Sequence, residues 1–163
     1  MKTNDVLQKR LLFTILVVLS LLVRGNADQE DLESKISELR QNIKARKIKS
    51  LEIFYIPPGI HFRVAVKPQY LEKNYYYRLT IQEPDRSEQV THLLSALIKL
   101  KITSTAKDAD LRWGFVFLDA NGDRLASLYA NEAVTVGLLD NDRCEFGVEL
   151  HDILQNSFVK LFD

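Results

Sequence analysis

The sequence has little of what would announce a chemistry. It carries one cysteine, Cys144, among 163 residues, so no intramolecular disulfide can form and a disulfide-stapled scaffold is excluded. Four prolines and six glycines are too few for a collagenous or low-complexity chain. Neither sign of charge is in excess, since 22 basic residues balance 22 acidic ones. Without a concentrated positive surface the chain is poorly equipped to neutralise a run of phosphates, which argues against a nucleic-acid partner. The longest apolar run, Leu11 to Val23, is 13 residues, about two-thirds of the ~20 that a helix needs to cross the hydrocarbon of a bilayer. A Gly-rich phosphate loop, a dinucleotide fingerprint and a Gly-x-Ser-x-Gly elbow are all missing. Kinase, oxidoreductase and serine-hydrolase readings therefore lack their usual anchors.

What is present begins with an address. Lys2, Lys9 and Arg10 precede the apolar run, which only Thr14 and Ser20 interrupt, and Arg24-Gly25-Asn26-Ala27 follows it. A cationic end, a short greasy stretch and small residues at Gly25 and Ala27 make a secretory signal, with cleavage expected between Ala27 and Asp28. Arg24, close to the cut, keeps open the alternative of a domain anchored in the membrane through residues 11–23. No cysteine follows the run, so there is nowhere to attach a lipid. The expected product is an exported protein, periplasmic or secreted, consisting of one domain over 28–163. Four basic residues and one acidic residue fall in the leader, which leaves 18 against 21 and a domain near −3.

The pattern of the domain points to an α+β fold, a mostly antiparallel sheet of about six to seven strands with an N-terminal, a middle and a C-terminal helix packed on it. Leu32, Ile36, Leu39 and Ile43 mark the first helix, whose stripe suits the domain's own sheet and is also a candidate partner surface. Leu51 to Ile56 and Ile60 to Val66 read as two strands around the rigid Pro57-Pro58-Gly59 turn. Pro68 ends the second, and a polar bend leads to a third over Asn74 to Gln82. Asp85 or Ser87 caps the middle helix, marked by Val90, Leu93, Leu94, Leu97 and Ile98, and a short strand follows within Lys99 to Thr105. The clearest hairpin runs from Leu111 to Ala130 around Asn121-Gly122. Its first strand is apolar on both faces and so is expected to be central. Ala133 to Leu139 and Arg143 to Val148 read as strands around Asp140-Asn141-Asp142, and Leu150, Ile153, Leu154, Phe158 and Leu161 as a closing helix.

Candidate chemistry is thin. Cys144 with His61, His92 or His151 is the minimum for a thiol nucleophile and its base, but no nucleophile motif surrounds them, and a small buried hydrophobe is the expected role of the cysteine. His92 is placed on or near the apolar face of the middle helix. The three histidines and Asp152 lack the close pair of a zinc site. Asp119, Asn121 and Asp123 have the spacing of a calcium loop without its remaining ligands, which leaves them as a hairpin turn. The basic stretch from Arg40 to Lys49 reads as a solvated helix face. The tyrosine group Tyr70, Tyr75, Tyr76 and Tyr77 is the most suggestive feature, with Tyr75, Tyr76 and Tyr77 as the candidate partner surface. On a strand Tyr76 faces away from its neighbours, so at least one ring is exposed to a protein or a sugar. No catalytic, cofactor or metal residue is assigned. The expectation is a non-enzymatic binding or accessory domain whose partner is another exported protein or a cell-envelope component, with no nucleic acid. A small exported hydrolase whose active site lies outside known motifs is the competing reading.

Overall fold

The computed structural model describes residues 28–154. The leader, Ala27, and Phe158 and Leu161 of the expected closing helix lie outside the described residues. Within them four helices and one seven-stranded antiparallel sheet form an α+β fold. In chain order these are helix α1 (28–44), β1 (Ser50–Tyr55), α2 (Pro68–Lys73), β2 (Tyr77–Gln82), α3 (Glu88–Lys99), β3 (Ile102–Ser104), β4 (Leu111–Leu118), β5 (Arg124–Asn131), β6 (Val136–Leu139), β7 (Asp142–Phe146) and α4 (Val148–Ile153). The strand order is β2-β1-β4-β5-β6-β7-β3. β4 to β7 form a meander of neighbours, and the chain carries β2 to one edge and β3 to the other.

One face of the sheet holds the main core. Leu32, Ile36, Leu39 and Ile43 of α1 meet Leu51, Ile53 and Tyr55 of β1, Trp113, Phe115 and Phe117 of β4, and Val90, Leu93, Leu94 and Leu97 of α3. Each fully buried side chain of this size contributes about 1.5–3 kcal/mol. That packing stands in for the intramolecular disulfide that a single cysteine cannot form. β4 is buried along seven of its eight residues, as its two apolar faces require. Its aromatic residues stack in file: Tyr55 lies 4.0 Å from Trp113, and Trp113 lies 6.1 Å from Phe115.

A smaller core covers the opposite face, where Phe54, Val116 and Tyr129 meet Leu71 of α2 and Ile56 and Val66 of the preceding loop. Here the pattern misleads. Residues 60–66, which alternate like a strand, form none. Both edges of β1 are already paired, with β2 and with β4, so no neighbouring edge is open to them there. The backbone of Val66 is held by Asp110 and Leu111 instead, and the loop is fixed by buried Arg112, which donates to the Ile60 carbonyl at 2.8 Å and lies over the Phe62 ring. Pro68 does not merely stop a strand. It opens α2, because its fixed φ and missing N–H suit the first turn of a helix.

Close approach sets the register at the far side. A Cβ on Gly137 would lie 1.8 Å from the Tyr129 carbonyl oxygen, so only glycine lets β6 pass β5 at this point. Gly122 takes φ 83° in the β4–β5 turn, and the Asp119 carboxylate accepts the N–H groups of Asn121 and Asp123. That carboxylate is spent on the turn.

Candidate functional site

The tyrosine run sits where the chain enters β2. Tyr77, Leu79 and Ile81 pack against the main core, as the alternation predicts. The strand begins only at Tyr77, however, so Tyr75 and Tyr76 escape its period. Tyr75 turns to the smaller core, with its ring 5.5 Å from Phe54 and the Arg78 guanidinium 6.0 Å from its face. Tyr76 leans edge-on against Tyr77 at 5.3 Å and is 64% exposed. The large hydrophobic side chains exposed among the described residues are Val64, Tyr70, Tyr75 and Tyr76. All four fall in the stretch from residue 64 to residue 76, at one corner of the molecule.

Two shallow hollows gather polar groups. One, of about 490 Å³, is lined by Asp108, Asp110, Arg112, Glu132 and His151. Its carboxylates act as ties: Asp110 accepts from Arg112 at 2.6 Å and from the Val66 N–H, and Asp108 pairs with Lys67 at 3.2 Å and Arg143 at 2.8 Å. His151 Nδ1 lies 3.0 Å from the Ala133 carbonyl, which makes Nδ1 the protonated nitrogen.

The other hollow, of about 420 Å³, lies between α2 and β5. Tyr129 donates its hydroxyl to Glu72, and Arg124 donates to the second Glu72 oxygen at 2.8 Å. Burial, then the Glu72 contact, push the Tyr129 hydroxyl up to about 12. Asp140 accepts from both the N–H and the hydroxyl of Ser127, at 2.7 and 3.1 Å. No histidine lines this hollow among the described residues, so the pair is not a Ser-His-Asp arrangement.

The thiol constellation does not assemble. Cys144 is wholly buried in β7, opposite Gly137 and Ser104, and burial pushes its thiol up to about 12. No thiolate forms there near neutral pH, and a closed strand position gives it no route to another molecule. His61 is exposed on the 56–67 loop, and His151 belongs to the first hollow. His92, placed by its sequence near the apolar face of α3, is exposed. The stripe of α3 runs through 90, 93, 94 and 97 and leaves 92 to solvent. Among the described residues no group of three or more His, Cys, Asp or Glu side chains could hold a metal ion.

No protein-family model matches the chain, and neither a curated protein nor a solved structure is significantly similar to it. What distinguishes the molecule is its surfaces.

The first of these, the stripe of α1, is consumed by the fold. Leu32, Ile36, Leu39 and Ile43 are at most 8% exposed, so that helix offers a partner no apolar face. This corrects the first-helix version of the partner surface: the stripe had too few heptads for a coiled coil and found the sheet instead. The basic stretch behind it is solvated, with Lys44, Arg46, Lys47 and Lys49 exposed, but it is not one helix face: α1 ends at Lys44, and the other three follow it in a turn and loop. Arg40, half-buried, is tied to the Leu100 carbonyl at the end of α3. Among the described residues no helix is long and apolar enough to cross a membrane.

Proposed function

We propose that this is an exported binding or accessory domain, without catalytic machinery of its own, that holds a protein partner against the outer edge of β2 and the tyrosines leading into it. The observation that carries the reading is the exposure of Tyr75 and Tyr76 at the entrance to a six-residue edge strand. An edge strand offers a row of backbone donors and acceptors, and alternate side chains beside it supply specificity. Stiff amphipathic tyrosines contribute contact area at small entropic cost. Tyr77 belongs to the core side of this surface, so Tyr75 and Tyr76 carry the contact.

Capture from the exported fraction tests the proposal. Wild-type protein is expected to retain a partner that a Tyr75→Ser, Tyr76→Ser double variant loses, while a Thr91→Ala variant on exposed α3 retains it. Equal capture by all three forms would reject the surface. The proposed address is tested by mass: a chain beginning at Asp28 supports export with cleavage after Ala27, whereas full-length protein confined to the membrane fraction supports an anchor through residues 11–23.

A further inference from the structure

The loop before α2 carries a second surface of different chemistry. Val64 is 77% exposed, the highest value among the large hydrophobics at this corner. It stands between exposed Arg63 and Ala65, with Lys67, Tyr70 and Lys73 close by in sequence and also exposed. The base of the loop is rigid. Buried Arg112 grips the Ile60 carbonyl and lies 5.4 Å from the centre of the Phe62 ring, and Phe62 in turn meets Tyr70 edge-on at 5.4 Å. The tip is therefore presented by a firm stalk.

Charge gives the surface a direction. Residues 61–73 hold Arg63, Lys67 and Lys73 against Glu72 alone, in a domain whose balance is 18 basic to 21 acidic residues. Glu72 is tied to Arg124 and Tyr129, and Lys67 is shared with Asp108. No ion pair among the described residues engages Arg63 or Lys73. Asp108 and Asp110 tie the base of the loop through Lys67 and the Val66 N–H, while Arg63 and Lys73 leave two exposed cations without a carboxylate partner among the described residues. An exposed apolar side chain on a loop, in a segment that also exposes tyrosine and lysine or arginine, is the composition that settles at a bilayer interface. The apolar group enters the acyl boundary, aromatic rings sit at headgroup depth, and cations meet anionic lipid.

We propose that the Val64 loop docks the domain on an anionic phospholipid surface, with Val64 inserted and Arg63 and Lys73 on the headgroups. This goes beyond the protein-partner reading, which uses Tyr75, Tyr76 and the β2 edge, and either can stand without the other. An acidic protein surface shares the charge, but it would be expected to meet an apolar patch or groove with a matching one. A lone protruding valine suits a fluid interface better.

The test uses protein recovered from the exported fraction, carrying Val64→Trp. On vesicles of mixed phosphatidylglycerol and phosphatidylcholine the emission of the new tryptophan is expected to move to the blue, against the constant background of buried Trp113. On pure phosphatidylcholine it stays in place. Each cation near an anionic surface strengthens binding roughly fivefold. A variant with both Arg63→Glu and Lys73→Glu is therefore expected to lose at least 25-fold, on the order of fivefold for each cation removed. Val64→Asp is expected to abolish co-sedimentation with anionic vesicles while leaving the melting temperature unchanged, because the side chain packs against little. Emission that stays put on both vesicles, moves equally on both, or moves only with polyglutamate would overturn the proposal. None of these outcomes bears on capture through Tyr76.

Discussion

The two edges of the sheet are built to opposite ends. β3 is three residues long, and its outward Ser104 N–H is already bonded to the Gln29 side chain of α1 at 2.8 Å. β2 is twice that length, has no ladder partner on its outer side among the described residues, and is entered through exposed Tyr75 and Tyr76. Edge strands left open invite pairing with other chains, and proteins usually shorten, charge or cover them. One edge here is treated that way and the other is left long. On the proposed reading the closed edge serves stability and the open one contact, and substitutions should separate the two.

The largest effect is expected at the closed side. Gly137 lies in β6, two strands from that edge, where an added methyl meets the Tyr129 backbone. Backbone on both strands must move to admit it, so Gly137→Ala is expected to cost about 4 kcal/mol or more, read as loss of a cooperative thermal transition. Next comes the cover itself. Ile36 is 3% exposed on α1, and Ile36→Ala is expected to cost about 2–4 kcal/mol in denaturant unfolding. A cost near zero at either position would mean that the closed edge is not what holds the sheet.

Cys144 supplies a pH test of the same side. Its thiol is raised from 9.0 to about 12 by burial, so the folded state keeps a proton that the unfolded chain releases. Stability from this group is complete below pH 9 and is lost as pH rises from 9 towards 12, with a slope of at most about 1.4 kcal/mol per pH unit. Tyr129, raised from 10.0 to about 12, adds to the decline above pH 10. Cys144→Ala is expected to flatten the curve from its lower end, and alkylation of the native thiol is expected to proceed only at the rate of unfolding. Rapid labelling of folded protein would contradict the burial.

This division between edges was only partly legible in the residues. Strong periodicity placed α1, α3 and the β4–β5 hairpin, because Leu32, Ile36, Leu39 and Ile43, or Trp113, Phe115 and Phe117, each bury one continuous face. It failed over residues 60–66, where both edges of the preceding strand β1 are already paired and a buried arginine holds the loop instead. α2 is hidden because six residues carry too little pattern to announce a helix, although a proline such as Pro68 marks the opening of a helix as readily as the end of a strand. The tyrosines were found by their density, yet their period broke at the first residue of β2. The hollows and their ties, Glu72 to Tyr129 or Asp140 to Ser127, join residues distant in sequence that nothing local connects.

The smallest effect on stability is expected at the open edge, and there it is the absence of an effect that informs. Tyr76 is 64% exposed and touches the fold mainly through one edge-on contact with Tyr77. Exposed substitutions of this kind stay within about 0.5 kcal/mol, whereas truncating an aromatic anchor at the centre of an interface costs about 2 kcal/mol or more in binding, roughly thirtyfold in affinity. Tyr76→Ser is therefore expected to melt with the wild type and to lose its partner. If it melts several degrees lower, the ring is part of the fold and the open edge has no better claim to contact than the closed one. If it melts unchanged and binds unchanged, the edge is open without being used.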